Sequence, residues 1–303
     1  MIKAVFLGTP AFAIPSLEAL CAIADVSLVV TAPEDPRKGP SPVAQKAAAL
    51  GIKVLTPPRL TPELFDTTYD IFVIAAYGKI LKPAVLSLPK HGVLNVHPSL
   101  LPKHRGASPI QSAILAGDKK TGISLLLTDA DVDHGPLLAQ ESIDILASDD
   151  SVSLTNKLSL LGASLLTNSL PHYIDGSLTP REQDHKHATF TKLLSKNESR
   201  INWTDSAFNI ERLIRAYRIW PTAWTTLMHD NKTLRLRIEQ AHTIEKMINV
   251  EPGTLLIEEK SSAIVTGEGI LVLDSIQPEG RTIMTGSEFA RGYLRKDIPI
   301  RCT

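Results

Sequence analysis

Apolar and polar positions alternate between two spacings over the first half of the chain. IKAVFLG (2–8) is an almost uninterrupted apolar run closed by Gly8-Thr9-Pro10, the pattern of a buried parallel strand. IPSLEALCAIA (14–24) follows with helical spacing, and VSLVVTA (26–32) reads as a second strand entering the loop PEDPRKGPSP. VAQKAAALG (43–51) is helical and stops on a glycine. IKVLTP, YDIFVIAAYG (69–78), GVLNVH (92–97) and TGISLLLTD (121–129) read as further strands, with GASPIQSAILAG (106–117) a helix before the last of them. Strands alternating with helices predict an α/β fold, an open sheet of parallel strands whose ligands sit beyond the strands' carboxyl ends.

The texture changes after residue 185. QDHKHATFTKLLSKNESR is polar and reads as a linker. SAFNIERLIRAYR (206–218) is a helix on the spacing of Ile210, Leu213, Ile214 and Tyr217. The short runs AWTTLM, TLRLRIEQA, GTLLIEE, SAIVTG and GILVLDSIQ then predict a small β-barrel or sandwich. The expected organisation is an α/β domain over 1–185, a linker over 186–205 and a second domain over 206–303.

Composition narrows the function classes. The 303 residues carry 32 basic and 32 acidic side chains, so net charge drives the molecule toward neither nucleic acid nor membrane, and a polyanion needs a local basic patch. Cys21 and Cys302 form no disulfide framework and no CxxC, which fits a reducing cytoplasm and leaves no structural zinc motif. The apolar opening is broken by Gly8-Thr9-Pro10 and Glu18, so it reads as strand, turn and helix, not an export signal. No run of about 18 apolar residues occurs, and no membrane span is expected.

The candidate chemistry lies in VLNVHPSLLPKHR (93–105). Residues i and i+2 of a strand share a face, so Asn95 and His97 point the same way, and Pro98 ends the strand. TDADVDHGP (128–136) ends another strand with Asp129, Asp131 and Asp133 in a turn. An amide N–H and an imidazole N–H can both donate to a developing oxyanion. A neighbouring carboxylate fixes the imidazole tautomer and stabilises its charged form. Such a trio suits acyl transfer to an amine without a covalent enzyme intermediate. The plainer readings stand beside it: polar residues at a strand end, an Asp-rich loop-former, or a divalent-metal loop, which here lacks the EF-hand glycine and distal glutamate. The residues alone leave these readings open. A serine hydrolase is excluded by the absence of G-x-S-x-G, and LGTPAFA is not the G-x-G-x-x-G of dinucleotide sites.

Six stretches together resemble the folate-dependent formyltransferases: FLGTPAFAIPSLEAL, AAYGKIL (75–81), GVLNVHPSLLPKHRGASPIQ (92–111), TGISLLLTDADVDHGPLL (121–138), RINWTDSAFNIERLIRAYRIWPTAWTTL (200–227) and QPEGRTIMTGSEFARGYL (277–294). The C-terminal stretches are most similar to the branch that acts on tRNA. The resemblance implies a Rossmann-like formyltransferase domain, its sheet predominantly parallel, followed by a small OB-like β-barrel that binds tRNA. It implies 10-formyltetrahydrofolate as donor and co-substrate, no metal, and the α-amine of methionyl initiator tRNA as acceptor, in a monomeric cytoplasmic enzyme. The implied catalytic residues are Asn95, His97 and Asp133, the last because it alone precedes x-Gly. Ser99, Leu100, Leu101 and Pro102 match the folate-contacting segment. The main alternative within the group is transfer to an amino sugar nucleotide. Two departures stand out: PEDPRKGPSP is shorter than the family's loop for the tRNA acceptor arm, and Ala11 replaces the acidic residue usual in GTP-x-FA. Candidate basic contacts for tRNA are Arg37, Lys38, Lys192, Lys196, Arg200, Arg215 and Arg218.

Overall fold

A computed structural model describes residues 1–34, 37, 39–65, 67–229, 232–246, 248–257, 262–293 and 301–303. Lys38 lies outside them. The chain forms two compact units, one of residues 1–113, 119–146 and 153–193, the other of 114–118, 147–152 and 194–303.

In the first unit, β1 (Lys3–Gly8), β2 (Asp25–Val30), β3 (Lys53–Leu55), β4 (Ile71–Ala75) and β5 (Val93–His97) run parallel in the order β3-β2-β1-β4-β5. Both faces of β1 and β4 are buried, as their near-continuous apolar runs require. Helices α1 (Ile14–Ile23), α2 (Pro42–Ala49) and α3 (Pro83–Leu86) fall between these strands. Ser41 caps α2 by accepting from Ala44 N, with Pro42 at the first helical position.

A two-residue strand β6 (Arg105–Gly106) and helix α4 (Pro109–Ala116) come next. The run 121–129, expected among the parallel strands, forms β7 (Lys120–Leu127), which pairs antiparallel with β5. It is followed by an unanticipated antiparallel edge, β8 (Leu137–Asp144), and by the 24-residue helix α5 (Ser151–Ile174). The sheet therefore remains predominantly parallel but ends in two reversed strands. The segment read as a linker is ordered. In it β9 (Phe190–Thr191) pairs with β6, while Ile201 and Trp203 are buried in the core of the second unit.

The second unit opens with α6 (Ala207–Ala216), capped by Ser206. Strands β10 (Trp224–His229), β11 (Lys232–Ile244), β12 (Leu255–Ile257), β13 (Ser262–Val265) and β14 (Ile270–Pro278) follow. After them come β15 (Met284–Thr285), helix α7 (Gly286–Tyr293) and β16 (Arg301–Cys302). The antiparallel order is β12-β13-β14-β11-β10-β16, with β15 on β14. A bridge between Thr254 and Arg301 joins the two ends of that order, giving a near-barrel of the OB-like kind. Its interior is filled by Leu227, Leu236, Ile238, Leu271, Ile276 and Phe289, among others.

Candidate active site

Asn95 and His97 stand at the carboxyl end of β5, where parallel sheets present ligands. Both line a cavity of about 630 Å³, with Asp133 and Gly106 in the same wall. Asp133 comes from the loop between β7 and β8. Its Oδ1 accepts from Asn95 Nδ2 at 3.2 Å, and its Oδ2 lies 3.5 Å from His97 Nδ1 and accepts from Gly106 N at 2.8 Å. Asn95 and His97 of β5 and Gly106 of β6 thus meet at one carboxylate supplied by the β7–β8 loop.

The other acidic residues of the loop do different work. Asp129 accepts from Asp131 N at 3.0 Å and pairs with His134 Nδ1 at 2.7 Å, folding the loop on itself, and Asp131 is exposed. Gly135 is required by contact, since a Cβ there would stand 1.8 Å from the Leu127 carbonyl oxygen. Ala76, His104 and Asp133 all adopt positive φ, at 48°, 58° and 50°. Left-handed backbone is uncommon without glycine and persists where surrounding bonds over-determine it. Ala76 and Asp133 line the cavity and His104 holds His97 behind it, while the other such residue described, Thr222, lies in the second unit.

His97 is 4% exposed, and both ring nitrogens are engaged. Nε2 lies 3.0 Å from the His104 carbonyl oxygen. A carbonyl only accepts, so Nε2 carries a proton. The tautomer is therefore set by His104, a residue the sequence did not single out, and Asp133 faces the second nitrogen.

The expected folate segment sits differently. Pro98 lines the cavity, but Ser99, Leu100, Leu101 and Pro102 do not. Ser99 is fully buried and donates to the Lys103 carbonyl; Ser124 Oγ donates to the Ser99 carbonyl and accepts from Leu101 N. Tyr77, Gly78, Lys79, Ile80 and Leu81, within the AAYGKIL landmark, also line the cavity. Burial pushes the Tyr77 hydroxyl above its ordinary pKa. Among the described residues, no cluster of His, Cys, Asp or Glu is arranged to hold a metal ion. No helix among them is long and apolar enough to cross a membrane.

Two of the basic candidates are already paired. Arg215 bonds Glu211 at 2.5 Å and the Asp149 carbonyl at 2.7 Å, and Arg218 pairs with Asp150 at 3.5 Å and Glu239 at 3.2 Å. Arg200 instead lies over the Trp224 ring at 5.7 Å, and Arg235 over the same ring at 3.9 Å.

A parallel sheet with an amide, an imidazole and a carboxylate converging at a strand's carboxyl end can steady a developing oxyanion, as acyl-group transfer requires. Residues 16–170 match the formyl transferase family and residues 193–294 match the formyl transferase C-terminal domain, so the chain belongs to the formyl transferase family. It is 41% identical over 304 residues to methionyl-tRNA formyltransferase of Roseiflexus castenholzii (strain DSM 13941 / HLO8), spanning 96% of each chain. With the enzyme of that name from Listeria innocua serovar 6a it is 39% identical over 306 residues, spanning 97% of each. Among solved structures, the N-formyltransferase of Helicobacter canadensis with folinic acid and dTDP-3-aminofucose shares the fold at a TM-score of 0.70. That match has 20% identity and covers 90% of this chain and 99% of that one. HypX of Aquifex aeolicus with tetrahydrofolic acid gives 0.63 at 15% identity, covering 97% of this chain and 48% of that one.

Proposed function

We propose that the chain transfers the formyl group of 10-formyltetrahydrofolate to the α-amino group of methionyl initiator tRNA, the modification that prepares it for translation initiation. The observation that carries this reading is the meeting of Asn95, His97 and Asp133 at the wall of one cavity. It occurs in a chain 41% and 39% identical, over nearly its whole length, to enzymes named for that reaction.

The cavity volume of about 630 Å³ suits a folate-sized ligand. The folate supplies an activated formyl carbon for the amine to attack. The chain's own groups have distinct parts in that attack. Asn95 gives one amide N–H to Asp133, leaving the second to donate to the oxygen that gains negative charge. With Nε2–H held by the His104 carbonyl, His97 keeps its ring fixed and presents Nδ1 beside Asp133 at the reacting centre. Asp133, adjoining both, accepts the proton released by the attacking amine and returns it to the folate nitrogen as the bond from that nitrogen to the formyl carbon breaks, releasing tetrahydrofolate. A donor aimed at the developing oxyanion contributes about 3–4 kcal/mol to lowering the barrier. Ser99, Leu100, Leu101 and Pro102 are assigned to folate by resemblance alone. The same reading makes the enzyme a cytoplasmic monomer, which sedimentation and cell fractionation test.

The deciding assay is formyl transfer to charged initiator tRNA, with uncharged tRNA and an amino sugar nucleotide as parallel acceptors. Product on the charged tRNA alone supports the reading; product on the sugar amine alone replaces it with the alternative.

A further inference from the structure

One short segment grips both reacting partners. The His104 carbonyl accepts from His97 Nε2 at 3.0 Å, and two residues on, Gly106 N–H donates to Asp133 Oδ2 at 2.8 Å. Arg105 lies between them, 3% exposed. Its Nη2 donates to Gln183 Oε1 at 2.7 Å and to His185 Nδ1 at 2.8 Å. Gln183, itself 5% exposed, turns its amide the other way: Nε2 donates to the carbonyls of Asp133 at 2.9 Å and Gly135 at 2.7 Å. The bonds close a circuit that runs from His97 through 104–106 to Asp133, then back through Gln183 to Arg105.

We propose that Arg105 and Gln183 are positioning residues for formyl transfer, a role that rests on the proposed function. Two observations carry it. First, Arg105 is a buried cation that forms no ion pair with a carboxylate among the described residues, and its Nε has no hydrogen-bond partner. Its guanidinium is compensated by the two Nη2 bonds and by the Phe190 ring, 6.0 Å from Cζ, with no carboxylate among them, and burying a cation on those terms is unfavourable. What Arg105 gains is a fixed amide at 183. Second, Asp133 holds a left-handed backbone, φ 50°, and Gln183 is bonded to the carbonyls of that residue and of Gly135. That grip keeps the Asp133 carboxylate turned toward His97 and Asn95. Local polarity at 183 gave no hint of it.

The test uses the full-length enzyme and Gln183→Glu, which keeps an acceptor for Arg105 but removes both donors to the loop carbonyls. The expected result is a kcat lower by about 10- to 100-fold, as for displacement of a reacting group by a fraction of an ångström to an ångström. KM for both substrates should stay within about twofold and melting should remain cooperative. In ¹⁵N-histidine spectra the Nε2–H resonance of His97, assigned with the His97→Gln variant, should shift. A folded Gln183→Glu enzyme with wild-type kcat, or an unmoved His97 resonance, overturns the proposal. If that variant does not fold, Arg105→Lys takes the same readouts and the same criteria. Wild-type inactivity on methionyl-tRNA would count against the proposed function, while the imidazole spectra would still decide the positioning.

Discussion

His97 Nε2 lies 3.0 Å from the His104 carbonyl oxygen, while its Nδ1 lies 3.5 Å from Asp133 Oδ2. The first contact removes one proton from catalytic use and aims the other nitrogen at the carboxylate. Asn95→Ala, His97→Ala and Asp133→Ala should each lower kcat by about 10²–10³-fold, in line with loss of an oxyanion donor or its partner. Single-turnover formylation with each variant, alongside a thermal melt, separates this from unfolding. Near-normal turnover in Asp133→Ala would remove Asp133 from the site.

Gly106 provides a different handle on the same carboxylate. Its φ is 107°, and a Cβ there would stand 2.6 Å from the Thr191 carbonyl oxygen on β9. Gly106→Ala should therefore destabilise the chain by about 1–3 kcal/mol and reduce kcat by displacing the N–H that Asp133 accepts. Urea denaturation measures the first effect and initial rates the second.

The arginines of the second unit should divide into two groups. Arg215 and Arg218 are tied to carboxylates, so Arg215→Ala is expected to lower stability and leave the KM for tRNA nearly unchanged. Arg200 and Arg235 make no ion pair among the described residues and flank Trp224. Arg200→Ala and Arg235→Ala should each weaken tRNA binding and reduce the slope of log affinity against log salt by about 1. Filter binding over a salt series distinguishes the groups.

Cys302 gives a pH prediction. Burial pushes its thiol up from 9.0 to about 12, partly offset by Thr225. A thiol whose folded pKa exceeds its unfolded one adds stability that is whole below pH 9 and is lost as pH rises toward 12. Iodoacetamide at pH 8 should label Cys302 only after unfolding, and the melting temperature should fall across pH 9–12.

The parts of the site legible in the chain are those that break a local pattern. Asn95 and His97 stand out because polar residues at i and i+2 interrupt an apolar strand. Choosing Asp133 over Asp129 and Asp131 needed the resemblance to known enzymes, since all three occupy the same turn-forming text and only the folded loop separates their contacts. β7 looked like another parallel strand because an apolar run carries no direction. The alternation in β8 was too weak to register. Gln183 and His185 lie at the edge of a polar stretch that reads as a linker, and their role depends on Arg105, about eighty positions earlier, which spacing cannot reveal.

Whether this site moves a formyl group onto the amine of a charged tRNA is read out in a single assay. Purified enzyme is given 10-formyltetrahydrofolate and methionyl initiator tRNA, and formylmethionine released by hydrolysis is quantified for wild type and Asp133→Ala. The predicted result is stoichiometric formylation by wild type and a rate at least about 10²-fold lower for the variant. Absence of formylmethionine with wild-type enzyme would rule out this transfer, and equal rates for the two proteins would remove Asp133 from it.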